Sequence, residues 1–383
     1  MSTKDCDAEA KPPVSIVLTV EGIAYEFIRD LGVGAHGEQQ VLARPRLPEG
    51  PGAPVVIRSL GPTAEDGARA RLEQEARVAS LLEHPVITRV HGLHPVAGSL
   101  YVVQEYVESR SLDELYTDAL LCGIFCSERF VLHVAAELAS ALHAAHTRGI
   151  LHGELHPERI QLSTQGQVKL EGFGPATSLS QATGPVVYAA PEQLLQRPVE
   201  ARSDLFSLGL IMLELLTGQH LYRLMEDVDL RGVGLDMAAL SRDRLKLVEA
   251  TVNELGRLHE RVRRHEGLAG LAELAQRATS FDFEDVERLA REVPEPTRLI
   301  LHQLLRPQPQ ERYGSAAELE WALRERLRAL GPYGAREASE EAFLLQAQAA
   351  GLPSLEDLEL GEEDQELGPF PPDEPEEVTT QPC

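Results

Sequence analysis

The chain has 383 residues, a net charge of −25 and a hydrophobic fraction of 43%, which supplies a sizeable core and suits a two-part fold with extensions better than one minimal domain. The acidic balance argues against nucleic acid and anionic membrane surfaces as partners, and no window approaches the roughly 18–20 apolar residues of a membrane helix. The start Met1-Ser-Thr-Lys-Asp-Cys-Asp lacks the apolar run of a secretory signal, so the expected location is cytoplasmic.

Residues 14–28 and 41–57 carry β-branched clusters, separated by a glycine-rich turn and punctuated by Pro45–Pro54, and predict a small antiparallel sheet. In Leu31-Gly-Val-Gly-Ala-His-Gly37, the missing side chains of Gly32, Gly34 and Gly37 would let backbone N–H groups approach a phosphate. Arg69–Leu82 places Leu72, Ala76, Ala79 and Leu82 at helical spacing. Leu100–Val107 reads as a strand that runs into a connector at Glu105–Val107. Ser127 is a cap for a helix whose Val131, Ala135, Leu138, Leu142 and Ala145 form the buried face, and the remainder is mostly helical. Cys122 and Cys126, at i and i+4 among Leu121, Ile124 and Phe125, lack the second ligand pair zinc requires and read as packing residues.

Between Gly218 and Pro294 lies a long run in which Leu240, Leu247, Val248, Leu255, Leu258 and Val262 recur at helical intervals. Arg242, Arg244, Lys246, Arg257, Arg261, Arg263 and Arg264 make it the most basic stretch of the chain. It reads as a packed helix with a solvated charged face, or alternatively as a docking helix for a partner or for the acidic C-terminus. Eleven acidic residues and no Lys or Arg fall between Glu356 and Glu377, together with Pro369, Pro371, Pro372 and Pro375. A segment of this kind buries too little apolar surface to offset its ordering entropy, so residues 353–383 are expected to be a disordered acidic tail.

Several motifs, in a fixed order from about Tyr25 to about Leu330, resemble the protein kinase superfamily, and more specifically its bacterial serine/threonine branch. Val55-Val-Ile-Arg58 resembles the strand that carries the phosphate-pairing lysine, with Glu75 as the helix partner. His152-Gly-Glu-Leu-His-Pro-Glu-Arg-Ile160 resembles the catalytic loop, and Glu171-Gly-Phe-Gly174 the magnesium-binding motif. Ala190-Pro-Glu192, Ser203-Asp204 and Arg312 resemble structural elements of the large lobe, with Glu192 paired to Arg312. Ala79, Val90, His152 and Phe173 sit where a stack links the two lobes, and Asp204 anchors it. The resemblance implies an α+β bilobal fold. A β-rich N-lobe with one main helix would span 25–107, after an N-terminal extension at 1–24. A mostly helical C-lobe would span 108–330 with an insertion at about 219–295, followed by a helical extension at 331–352 and the tail.

The chemistry implied by the family is altered at almost every polar position. Gly172 stands where an aspartate would hold magnesium, and Arg159 where an asparagine would. A guanidinium about 4 Å from a divalent ion costs on the order of 8 kcal/mol at an effective dielectric near 20. Glu171 is next to Gly172 but, in extended chain, faces the other way. Glu154 replaces the catalytic aspartate, and its extra methylene shifts the acceptor in chemistry where such misplacement costs about 100-fold. His156 replaces a phosphate-steadying lysine, Gly153 an arginine, and Arg58 the lysine. Thr177, Ser178, Ser180 and Thr183 read as loop residues rather than phosphosites.

In the nucleotide pocket, counting along the family pattern puts Gln39 and Gln161 where apolar residues would sandwich adenine, Val56 where alanine is usual, and Gln104 at the rear. Each carboxamide costs about 1–3 kcal/mol if buried without a partner. No metal site is expected, and ATP and magnesium binding are expected to be weak or absent. Arg58 with Glu75 is expected to keep the lobes closed without nucleotide, and Arg159 with Glu154 to fill the vacant metal site. The resulting expectation is a pseudokinase that acts as a protein-binding, scaffolding or allosteric signalling module, with an active kinase or another signalling protein among its partners. The alternative is an atypical active kinase that uses Glu154 as base and Glu171 as metal ligand.

Overall fold

The structure is a computed structural model that describes residues 15–34, 36–174, 185–222 and 267–351. Strands β1 (Ile16–Val20), β2 (Ile23–Val33), β3 (Gln39–Leu47), β4 (Gly50–Pro51), β5 (Val55–Leu60), β6 (Val90–Val96) and β7 (Ser99–Glu105) form one sheet. Its order is β1-β2-β3-β5-β7-β6, with β4 paired to β3, and every pairing is antiparallel. The sheet therefore begins at Ile16, upstream of the expected start at residue 25. Helix α1 (Asp66–Ala79) is shifted slightly toward the N-terminus of its expected span, and it lays Ala68, Leu72 and Ala76 on Leu60, Leu100 and Val102.

The second lobe is organised around α3 (Glu128–His146). Ser127 caps it by accepting from the Phe130 N–H, and Val131, Ala135, Leu138, Leu142 and Ala145 are all buried, as their spacing predicts. Before it, α2 (Leu112–Cys122) opens on a reciprocal Ser111–Glu114 capping box and stops at Gly123, whose left-handed φ of 65° suits a residue without Cβ. A small sheet of order β10-β9-β8, made of β8 (Ser109–Ser111), β9 (Ile160–Ser163) and β10 (Val168–Leu170), lies beneath the crossing between lobes. Helix α4 (Pro191–Leu194) precedes α5 (Ala201–Thr217), which is buried from Ser203 to its end and is apolar nearly all round.

Beyond these, α6 (Gly267–Ser280) packs on α4, α8 (Glu295–Leu304) on α5 and α7 (Phe283–Leu289) on α8, and α9 (Ala316–Ala329) lies along α3. The final helix among the described residues, α10 (Ala335–Ala350), rests on α2 and α3. It is tied there by Glu341, whose carboxylate accepts from the Ser127 amide and hydroxyl at 2.7 Å each. The basic run at 240–264, the hydroxyls between Thr177 and Thr183 and the acidic stretch from 353 lie outside the described residues. Among the described residues, no helix is long and apolar enough to cross a membrane.

Candidate nucleotide and catalytic site

Asp204, at the start of α5, anchors the segment that carries the catalytic-loop residues. Its carboxylate accepts from the His152 amide at 3.0 Å and the Gly153 amide at 2.8 Å, and His146 Nε2 lies 2.8 Å away. Burial works to raise this carboxyl, but His146, His152 and the Gly153 amide outweigh it and hold Asp204 below its ordinary value. Gly153 has φ +76°, a left-handed conformation that favours glycine. The His152 ring meets Phe173 edge-on, with centroids 4.8 Å apart, and its Nε2 lies 2.8 Å from the Glu171 carbonyl. Ala79 is buried, and Val90 packs beside Leu72 and Ala76. Lower in the same lobe, Arg312 donates to both oxygens of Glu192 at 2.7 and 2.8 Å, and both side chains are buried. The five positions expected to be structural therefore sit in one buried framework.

Above that framework, Arg58 on β5 is sandwiched between two carboxylates. Its Nη1 donates to Glu75 at 2.5 Å, which is the expected pair. Its Nε and Nη2 donate to one oxygen of Glu38 at 2.8 and 2.6 Å, a contact that counting from the motif misses. His36 Nε2 lies 2.7 Å from the second Glu75 oxygen. Burial pushes Glu75 and Glu38 up, yet Arg58 beside them brings both below the ordinary carboxylate range.

The strand register explains why Glu38 points inward. Gln40 pairs with Arg58 and Leu42 with Val56, so the side chains at 38, 40 and 42 share the inner face with Arg58 and Val56. Gln39 belongs to the opposite, exposed face, where its amide reaches Asp30 at 3.5 Å. The expectation that Gln39 caps the adenine position is thus corrected, because Gln40 holds the inner place.

The remaining residues expected in the pocket lie on β5, on β7 and just after it, and on β9. Val56 and Gln104 are buried and paired across β5 and β7. Gln161 on β9 is partly exposed and satisfied, accepting from the Ser109 hydroxyl at 3.3 Å and donating to the Glu158 carbonyl at 3.2 Å. The Glu105 carboxylate, at the crossing, accepts from Lys169 at 2.7 Å and from the Arg89 amide at 2.9 Å. The Val107 carbonyl accepts from the Ser109 hydroxyl at 3.1 Å.

At the catalytic loop, Gly172 has φ +83°, and the side chain of Arg159 lies directly against it. A Cβ at position 172 would fall 2.9 Å from Arg159 Nε and 3.0 Å from its Cζ, so an aspartate here needs Arg159 to move. Glu154 follows His152 with its amide 3.3 Å from His152 Nδ1, and His156 is buried with Nδ1 3.9 Å from the Glu158 carboxylate. Glu171 differs from the alternation argument. Its carboxylate lies in the fields of Arg58, Arg159 and Glu75, on the site side, and accepts from the Thr88 hydroxyl at 3.4 Å. Burial raises its carboxyl, and the two arginines offset only part of that rise.

A β-rich lobe with one helix, a helical lobe built on the Asp204 and Glu192–Arg312 anchors, and a glycine-rich loop facing a catalytic-loop segment define the protein kinase fold. The family model for the protein kinase domain matches residues 25–322, and the chain belongs to that family. It is similar to the serine/threonine-protein kinase PknJ of Mycobacterium tuberculosis, 32% identical over 207 residues that cover 51% of this chain and 34% of that protein. It is also similar to the probable serine/threonine-protein kinase PknB of Lactococcus lactis, 32% identical over 210 residues, 51% of this chain and 32% of that protein. The match spans about a third of the length of these curated relatives. The solved kinase domain of Mycobacterium tuberculosis PknI, in a double-mutant form, aligns with TM-score 0.52 at 24% identity, covering 82% of this chain and 100% of that domain, and shares the fold.

Proposed function

We propose that this chain is a pseudokinase, a protein kinase fold that works as a protein-binding, scaffolding or allosteric signalling module and does not transfer phosphate. The observation that carries this reading is Arg159 seated against Gly172. Magnesium takes hard oxygen ligands, usually one or two carboxylates together with phosphate oxygens, and these two positions offer a cation and a hydrogen. The residues present therefore do not fit a magnesium nucleotide, and ATP binding is proposed to be weak or absent. The carboxamide of Gln40 and the bulk of Val56 on the pocket's inner face support the same reading. Partners would be proteins, an active kinase or another signalling protein among them, recognised on lobe surfaces that the altered site leaves unchanged.

One observation favours the alternative of an atypical active kinase. The Glu171 carboxylate lies on the site side, within reach of the fields of both arginines, and could serve as a substitute metal ligand if Arg159 swung away. Thermal unfolding with and without Mg-ATP separates the two readings. A ligand at 100 times its Kd adds about 2.7 kcal/mol of stability; the expected result is no shift, and no labelled phosphate on the chain or on a general protein acceptor. A saturable shift with transfer that Glu154→Ala abolishes would establish the alternative.

A further inference from the structure

We infer that the Glu38 carboxylate is a built-in occupant of the phosphate position beneath the glycine-rich loop, closing that loop on Arg58 and excluding polyphosphate ligands. The inference deepens the pseudokinase reading and rests on it. It is carried by four observations at one place. Glu38 is 0% exposed, although a glutamate beside a glycine turn ordinarily points to water. One of its oxygens takes two donors from Arg58, at 2.8 and 2.6 Å, and the other accepts from the His36 amide at 2.8 Å. That amide belongs to the loop whose N–H groups would otherwise face an anionic ligand. Finally, the space left by Gly34 is filled from within: a Cβ there would fall 2.2 Å from Glu38 Oε1 and 2.2 Å from Gln40 Nε2.

Gly34 thus makes room for the chain's own carboxylate. The loop is closed by short backbone contacts as well, from the Gly34 amide to the Glu38 carbonyl at 2.7 Å and from the Gly37 amide to the Gly34 carbonyl at 2.9 Å. A polyphosphate entering here meets a fixed like charge in a site shielded from water, where repulsion is strong, and must take Arg58 from two partners at once. His36 adds a second tie from the same loop to Glu75. Glu75 of α1, which in other kinase folds pairs with a ligand-facing lysine, is held in this chain by Arg58 and by His36 of the loop together.

Titration calorimetry on the full chain with ATP, once with a chelator and once with magnesium, tests the occupancy. The unmodified chain is expected to give no saturable heat. Glu38→Ala and the isosteric Glu38→Gln are expected to gain ATP binding at least about tenfold tighter and equal with and without the metal. Variants that bind ATP no better than the unmodified chain would overturn the inference while leaving the pseudokinase reading in place. Phosphate transfer by the unmodified chain would overturn both. Amide exchange on the unmodified chain guards against variants that fail to fold: slow exchange at Gly34 and His36 without nucleotide is expected, and exchange at the rate of an open loop would overturn the occupancy.

Discussion

Replacing Arg312 by alanine is expected to cost about 3–5 kcal/mol of folding stability, the range for breaking a buried ion pair from one side. The guanidinium side chain is 0% exposed and every face of it is engaged. It forks onto Glu192, donates to the carbonyls of Arg202, Arg306 and Pro307, and lies with Cζ 4.6 Å from the Phe206 ring centroid. Without it, Glu192 keeps the Ser203 hydroxyl at 2.6 Å and a backbone hydrogen bond but no counter-charge from Arg312 inside a dry interior. Denaturant unfolding of Arg312→Ala, Glu192→Ala and the double variant measures this. The double variant should lose less than the sum of the two, because the second truncation removes the stranded charge. A loss below about 1 kcal/mol in Arg312→Ala would show that the pair behaves as a surface contact and that its burial has been misjudged.

Asp204→Ala is expected to be as damaging for a different reason, since it leaves donors rather than a charge without a partner. The His152 and Gly153 amides both point at this carboxylate, and each orphaned donor costs about 1–3 kcal/mol. The effect also has a pH signature. Asp204 has a folded pKa depressed below its unfolded value, so its contribution is fully present above the unfolded value of about 3.9 and is lost as pH falls through the folded one. Glu192 is depressed in the same sense, by Arg312 acting against the effect of burial. Stability measured against pH should therefore fall on the acid side in the unmodified chain and fall less steeply in Asp204→Ala. Parallel acid limbs would contradict the assignment.

These anchors were legible in the sequence because they are tied to local patterns. Asp204 and Glu192 are legible through the resemblance of Ser203-Asp204 and Ala190-Pro-Glu192 to the family's large lobe, and α3 through a capped amphipathic run, so each can be placed without knowing any long-range contact. The glycine-rich loop was legible only in part. Which side chains face inward in a strand depends on register, and a one-residue change exchanges the two faces. Counting forward from Gly37 along the family pattern selects Gln39, whereas counting back by twos from Leu42, which pairs with Val56, reaches Gln40 and Glu38. At Glu171 the alternation argument does not apply, because β10 ends at Leu170 and Gly172 has a left-handed φ, and the carboxylate there accepts from the Thr88 hydroxyl. In both places the deciding contact comes from a different element than the motif.

Helix α10 lies beyond the span matched to the kinase domain family, and it shelters the two cysteines of the C-lobe. Cys122 Sγ sits 4.0 Å from the Leu345 carbonyl, and burial together with nearby Glu341 pushes the Cys126 thiol up to about 12. While the helix is seated, little thiolate exists at neutral pH and both sulfurs are chemically quiet. Pulling α10 away would wake them, so the onset of alkylation at Cys122 and Cys126 provides a natural clock for its release.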